Sequence, residues 1–228
     1  MAKILMTAIV ADIRNKLNGS VFSKNRYGAY VRTKVTPVNP QTAFQAAARN
    51  ILGGNAQAWR GLTEAQRIAW TAATANYPIV DIFGNTKILS GSALFTLLNG
   101  NLAQNGIARI TAPPLPVALP ALVIGAATIV GGTGVVTIPY TPTPVPAGFN
   151  VAVFATPNVP PGRSFVKNLF RKVTYLAAAA ASPAVLTVQY AARFGAPVTG
   201  QKITVKLFML NITTGQVGIP VVQTIIVS

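Results

Sequence analysis

The ten residues Gln201-Lys202-Ile203-Thr204-Val205-Lys206-Leu207-Phe208-Met209-Leu210 decide how the second half of the chain is read. Ile203, Val205, Leu207 and Met209 fall on one side of an extended strand, and Thr204 and Lys206 on the other. That is the period of two expected of a half-buried strand. Asn211-Ile212-Thr213-Thr214-Gly215-Gln216 follows as a turn-forming loop, so a hairpin should lead into a last strand over 217–227. Working back from residue 201, further strands are expected over 121–130, 134–140, 149–155, 164–172 and 184–191. Seven short strands behind the proline-rich connector Ala112–Pro120 fit an immunoglobulin or fibronectin type III-like sandwich, all-β and free of disulfides.

Before that connector the periodicity changes. Residues 38–106 read as helical. Asn39-Pro40 supplies a cap and a proline at the first helical position. Phe44, Ala48, Ile51, Leu52 and Trp59 follow at helical spacing, with Gly53-Gly54 as a candidate break. Thr63-Glu64-Ala65-Gln66 has the form of a capping box opening a helix to about residue 76. Asp81–Asn85 reads as a turn. Ser90 or Ser92 opens a third helix whose apolar stripe is Leu94, Phe95, Leu98 and Leu102, stopped at Gly106. Trp59 and Trp70, near the ends of neighbouring helices, are expected in the core.

The first 36 residues alternate like β-structure. Asn18-Gly19 between two extended runs is a hairpin signal. Beyond it, Arg26, Tyr30, Arg32 and Lys34 share one face, and Tyr27, Ala29, Val31 and Val35 the other. The fold class expected is therefore α+β. Residues 1–112 form a basic β-ribbon and helical assembly domain, and residues 113–228 the sandwich.

Composition limits the chemistry. The chain of 228 residues has 19 Lys+Arg against 3 Asp+Glu, with no His and no Cys. Thiolate and imidazole catalysis, and nitrogen or sulfur metal sites, are thereby excluded. The carboxylates Asp12, Glu64 and Asp81 are too scattered in sequence for paired-acid or two-metal hydrolysis. No catalytic, cofactor-binding or metal-ligating set is expected, and the chain reads as a binding or building part, not an enzyme. Ile4–Val10 is too short, and too quickly followed by Asp12, Arg14 and Lys16, for a secretory leader. Ile110–Gly162 carries no charge, but its prolines and glycines break it into strand-length pieces, so no membrane span is expected.

Two basic groups are the candidate contact residues. In the ribbon, Lys16, Lys24, Arg26, Arg32 and Lys34 alternate with Phe22, Tyr27 and Tyr30. In the β-domain, Arg163, Lys167, Arg171 and Lys172 surround Phe165, Leu169 and Phe170. Such a pattern suits a phosphate backbone, an acidic protein surface or a solvated strand face, and charge alone does not choose among them. Edge-strand cations would also discourage uncontrolled strand pairing. Glu64 complements the dipole of its helix, and Gly131, Gly132 and Gly134 lack the Lys-Ser/Thr of a phosphate loop.

The stretch Asn25-Arg26-Tyr27-Gly28-Ala29-Tyr30-Val31-Arg32-Thr33-Lys34-Val35-Thr36-Pro37-Val38-Asn39-Pro40-Gln41-Thr42 carries a resemblance, together with Ala58–Trp70 and Leu89-Ser90-Gly91. It resembles a group of uncharacterised phage and prophage proteins, over about the first 110 residues. The resemblance implies a viral origin and a place in the virion, and it transfers no activity. The β-domain is similar, at the level of fold only, to immunoglobulin-like modules of phage heads and tails. The expectation is a structural protein of a bacteriophage particle (head, connector or tail), assembled in multiple copies in the host cytoplasm. Its partners would be other virion proteins with acidic surfaces and further copies of itself. The alternative is a nucleic-acid-binding or packaging protein that uses the ribbon.

Overall fold

The computed structural model describes residues 2–3, 12–25, 28–36, 38–39, 41–80, 86–132 and 134–228. Ile4–Val10, Arg26, Tyr27, Pro40 and the expected turn at 81–85 lie outside the described residues. The chain divides into two compact units, Met1–Ala46 and Ala47–Ser228. The division comes well before the connector at 112, so most of the helical region shares a unit with the β-domain.

The first unit is a four-stranded antiparallel sheet of β1 (Ala2–Lys3), β2 (Asn15–Leu17), β3 (Ser20–Asn25) and β4 (Gly28–Thr33), in the order β1-β4-β3-β2. Asn18 at φ 50° and Gly19 close the β2–β3 hairpin at the position expected. The Lys34 amide then donates to the Gly19 carbonyl at 2.8 Å, tying the end of β4 to that turn.

The helical part contains α1 (Ala43–Gly61), α2 (Glu64–Ala73) and, after the small hairpin β5 (Ile79–Val80) and β6 (Thr86–Lys87), α3 (Gly91–Gln104). Helix α1 starts later than Asn39-Pro40 implies, because the Thr42 hydroxyl accepts the Gln45 amide at 3.3 Å and caps it there. Gly53-Gly54 does not break it. Gly54 instead leaves room for the Arg109 guanidinium, which a β-carbon would strike, and Arg109 Nε donates to Asn55 Oδ1 at 2.7 Å. The capping box forms in both directions: the Gln66 amide donates to the Thr63 hydroxyl at 3.3 Å, and the Thr63 amide to Gln66 Oε1 at 2.9 Å. Ser90 caps α3, and Gly106 at φ 73° terminates it.

Leu62, Trp70, Leu94, Phe95 and Leu98 make the helical core. Trp70 is fully buried, edge-on to Phe95 at 5.2 Å, and its indole donates to the Thr111 carbonyl at 2.8 Å. Trp59 is half-buried, 5.5 Å from the same ring. Buried Asn99 accepts the Ile110 amide and donates to the Ile110 carbonyl, so the chain leaving α3 is tied back to it.

Beyond the connector come β7 (Val123–Ile124), β8 (Thr128–Ile129), β9 (Val136–Ile138), β10 (Tyr140–Thr141), β11 (Phe149–Ala155), β12 (Arg171–Leu176), β13 (Ala184–Val185), α4 (Thr187–Phe194), β14 (Lys202–Asn211) and β15 (Val221–Ile226). They form antiparallel sheets ordered β12-β11-β14-β15 and β13-β9-β8, with β10 paired to β7. Val151, Val153, Ile203, Val205, Leu207 and Met209 of the larger sheet share one core with Ile129, Val136, Ile138 and Tyr190. The inward side of β14 is the one its alternation indicates.

Three expected strands are corrected. Residues 121–130 are not one strand but hold β7 and β8, which belong to different sheets. Residues 184–191 are not a strand: after β13 they turn into α4. Leu186, Tyr190 and Phe194 recur every four residues, and helical spacing buries Leu186 and Tyr190 and half-buries Phe194. Residues 164–172 carry a single 3₁₀ turn at Lys167–Leu169, and pairing with β11 begins only at Arg171. The second unit is thus not all-β beyond residue 113, and the chain as a whole is mixed α+β.

The turn Asn211–Gln216 packs against α3. Asn101 Nδ2 donates to the Gly215 carbonyl at 2.9 Å. Gly215 has φ 74°, and a β-carbon there would strike the backbone carbonyl of Leu98. Asn211 Oδ1 accepts from the Thr213 and Thr214 amides and the Thr213 hydroxyl, which consumes its side chain inside the turn.

Candidate interaction surfaces

Among the ribbon's described residues from Asp12 to Ala46, none is buried. The register places Lys16, Val21, Ser23, Tyr30 and Arg32 on one face, and Leu17, Phe22, Lys24, Ala29 and Val31 on the other. Lys16, Tyr30 and Arg32 therefore come together, lining a shallow recess of about 300 Å³ with Arg14 and Ser23. Lys24, on the opposite face by register, still borders this recess, Lys34 lies just past the end of β4, and Arg26 is outside the described residues. Arg14 pairs with Asp12 at 2.7 Å across an exposed contact, which is worth little in water.

Apolar side chains are left in solvent along the same stretch. Leu17 is 70% exposed and Phe44 67%, and Val35 and Val38 are comparably open. Patches of this kind, in one run of sequence, mark surfaces that meet a partner. An apolar recess of about 710 Å³ also lies between α1, β5 and α3, lined by Trp59, Ile79, Leu89, Ala93 and Leu97 with Arg60 among them. Arg67 closes the adjacent end of α1, donating to the Arg60 carbonyl at 2.7 Å and the Trp59 carbonyl at 3.4 Å.

In the β-domain the structure gathers more cations than Arg163, Lys167, Arg171 and Lys172. Lys206 stands on the outer side of β14, its ammonium 5.0 Å from the Phe154 ring and 4.9 Å from the Phe170 ring. Phe154 stacks in turn on Phe208 at 5.5 Å. Lys172 lies 5.0 Å from the Tyr175 ring and donates to the Gln104 carbonyl at 3.0 Å. Arg171 donates to the carbonyls of Asn168 and Phe170, each at 2.9 Å, and Lys202 to that of Pro161 at 2.9 Å. Among the described residues, rings and carbonyls hold these cations. Such contacts fix the side chains without neutralising them.

Arg193, in the last turn of α4, has its pKa lowered by burial and then by the charge of Arg171. Burial raises the phenol pKa of Tyr190, whose hydroxyl donates to the Thr156 carbonyl at 3.0 Å, and those of Tyr77, Tyr140 and Tyr175. Alternation along β14 already set Lys206 apart from the core positions. Nothing local reveals that Phe154 and Phe170 flank it, and Arg193 was hidden by reading its helix as a strand.

Among the described residues no three side chains of His, Cys, Asp or Glu lie together, and no helix is long and apolar enough to cross a membrane. No family model, curated protein or solved structure matches the chain.

Proposed function

We propose that this chain is a non-enzymatic structural component of a bacteriophage particle, present in multiple copies, whose N-terminal ribbon docks on a neighbouring subunit. The observation that carries the reading is the ribbon itself, a four-stranded sheet with no buried residue among those described. Sheets of this size reach independent stability by burying an apolar face or packing against another element. Phe22 and Val31, paired across β3 and β4, with Leu17 on the same face, offer an apolar surface for a partner. Lys16 and Arg32 on the other face set register against an acidic one. A free edge of such a ribbon also suits strand addition to a neighbour's sheet.

The resemblance of residues 25–42 to phage and prophage proteins supports the particle as the place of assembly. Within this reading the β-domain is an elaborated immunoglobulin-like module with α4 inserted, packed laterally or projecting from the particle. The test is mass spectrometry of purified particles from the source phage or induced prophage. The chain is expected at a copy number comparable with known head or tail proteins, and its absence would sink the proposal.

A further inference from the structure

From residue 82 to the end of the chain there is no acid, while the β-domain carries seven Lys or Arg. The fold concentrates them. The segment 160–170 drapes over one end of the larger sheet, held there by Lys202 on the Pro161 carbonyl and by Lys206 on the Phe170 ring. Arg163 and Lys167 project from it, and Arg171 follows as β12 begins. Arg171 also lies close enough to Arg193 to weigh on its protonation, so this corner brings like charges together. Between Arg163 and Lys167 stands Phe165, a ring 63% exposed to solvent in a domain with ample core to bury it.

We propose that this corner of the β-domain binds single-stranded nucleic acid, with Arg163, Lys167 and Arg171 on phosphates and the Phe165 ring stacked on a base. Two features select this ligand over an acidic protein surface. Protein surfaces interleave both signs, so a face that meets one is commonly mixed as well. Here the sign is uniform, as suits a backbone with one negative charge per nucleotide. An exposed ring flanked by cations is a standard platform for an unstacked base. Because Lys206 already occupies the faces of Phe154 and Phe170, Phe165 is the ring left open for stacking. Arg163 is oriented by its own donation to the Phe165 carbonyl at 3.3 Å, so cation and ring are positioned together. The inference is independent of the assembly reading, since it uses no residue of the ribbon.

The test uses the full chain and fluorescence anisotropy with labelled oligothymidylate, a duplex of equal length, and poly-L-glutamate as competitor. Single strands should bind more tightly than duplex, with log affinity falling linearly against log salt. The double variant R163Q/K167Q should reduce that slope by about 0.7 for each phosphate it no longer neutralises. Phe165→Ala should weaken binding about tenfold while leaving the slope intact. Both sites are exposed, and unchanged melting temperatures would establish that the variants fold. The ribbon variant K16Q/R32Q/K34Q should retain wild-type affinity. Wild-type affinity in Phe165→Ala, or an unchanged slope in R163Q/K167Q, would overturn the proposal. Displacement by poly-L-glutamate as effective as by oligothymidylate would overturn it too, in favour of an acidic protein.

Discussion

Replacing Gly215 by Ala tests whether the β-domain turn and the helical layer meet as described. Gly215 has φ 74°, and its position faces the backbone carbonyl of Leu98 in α3. A left-handed alanine costs about 1–2 kcal/mol. Its β-carbon would also overlap a carbonyl that cannot swing aside, because the Leu98 side chain is itself buried in the helical core. Overpacking of this kind costs about 1–3 kcal/mol more. The sum is about 2–5 kcal/mol, which for a unit of this size lowers the melting temperature by about 4–20 °C. Gly200 supplies the control: it has φ 77° but nothing near its β-position. Gly200→Ala should incur only the backbone cost, about 1–2 kcal/mol. Differential scanning calorimetry of both variants reads the difference. If Gly215→Ala were no less stable than Gly200→Ala, the close approach of α3 to the 211–216 turn would be refuted.

Other outcomes follow from single groups. Thr63→Ala removes the hydroxyl that accepts the Gln66 amide, and chemical denaturation should register a loss of about 1 kcal/mol, recovered in large part by Thr63→Ser. The buried tyrosines set the alkaline limit. Their folded pKa values are raised above the ordinary 10.0, so the stability they confer is complete below that value and is lost as pH rises past it. Melting temperature should therefore fall above pH 10, and Tyr190→Phe should fall less steeply while starting lower, without its bond to the Thr156 carbonyl. With no His in the chain, no imidazole contributes to any change between pH 6 and 8.

What the sequence disclosed was what local chemistry decides. The Thr63–Gln66 box, the Asn18-Gly19 turn, the Ser90 cap and the alternation of β14 each lie within a few residues, and each forms where expected. Trp70 is core, as its helical spacing implied. The failures have physical causes as well. Residues 184–191 contain both an alternation and a four-residue stripe, and only the tertiary core, by accepting Leu186 and Tyr190 together, selects the helix. Thr42 outcompeted Asn39 as a cap because its hydroxyl faces the Gln45 amide. The setting of Lys206 depends on rings from β11 and from the segment before β12, distant in sequence and brought together only by sheet pairing. The basic groups were legible as composition, but their division was not. Register put Lys24 on the other face from Lys16 and Arg32, at the border of their recess, and the fold added Arg193, Lys202 and Lys206 to the second cluster.

The proposed docking requires that a neighbouring subunit complete the ribbon. Hydrogen–deuterium exchange at the amides of residues 20–25 and 28–33 addresses it directly, comparing the isolated chain with the chain in purified particles. Rapid exchange is expected in the isolated chain, where none of the described ribbon residues is buried, and strong protection in the particle. Equal protection in both states, or continued rapid exchange in the particle, would contradict it.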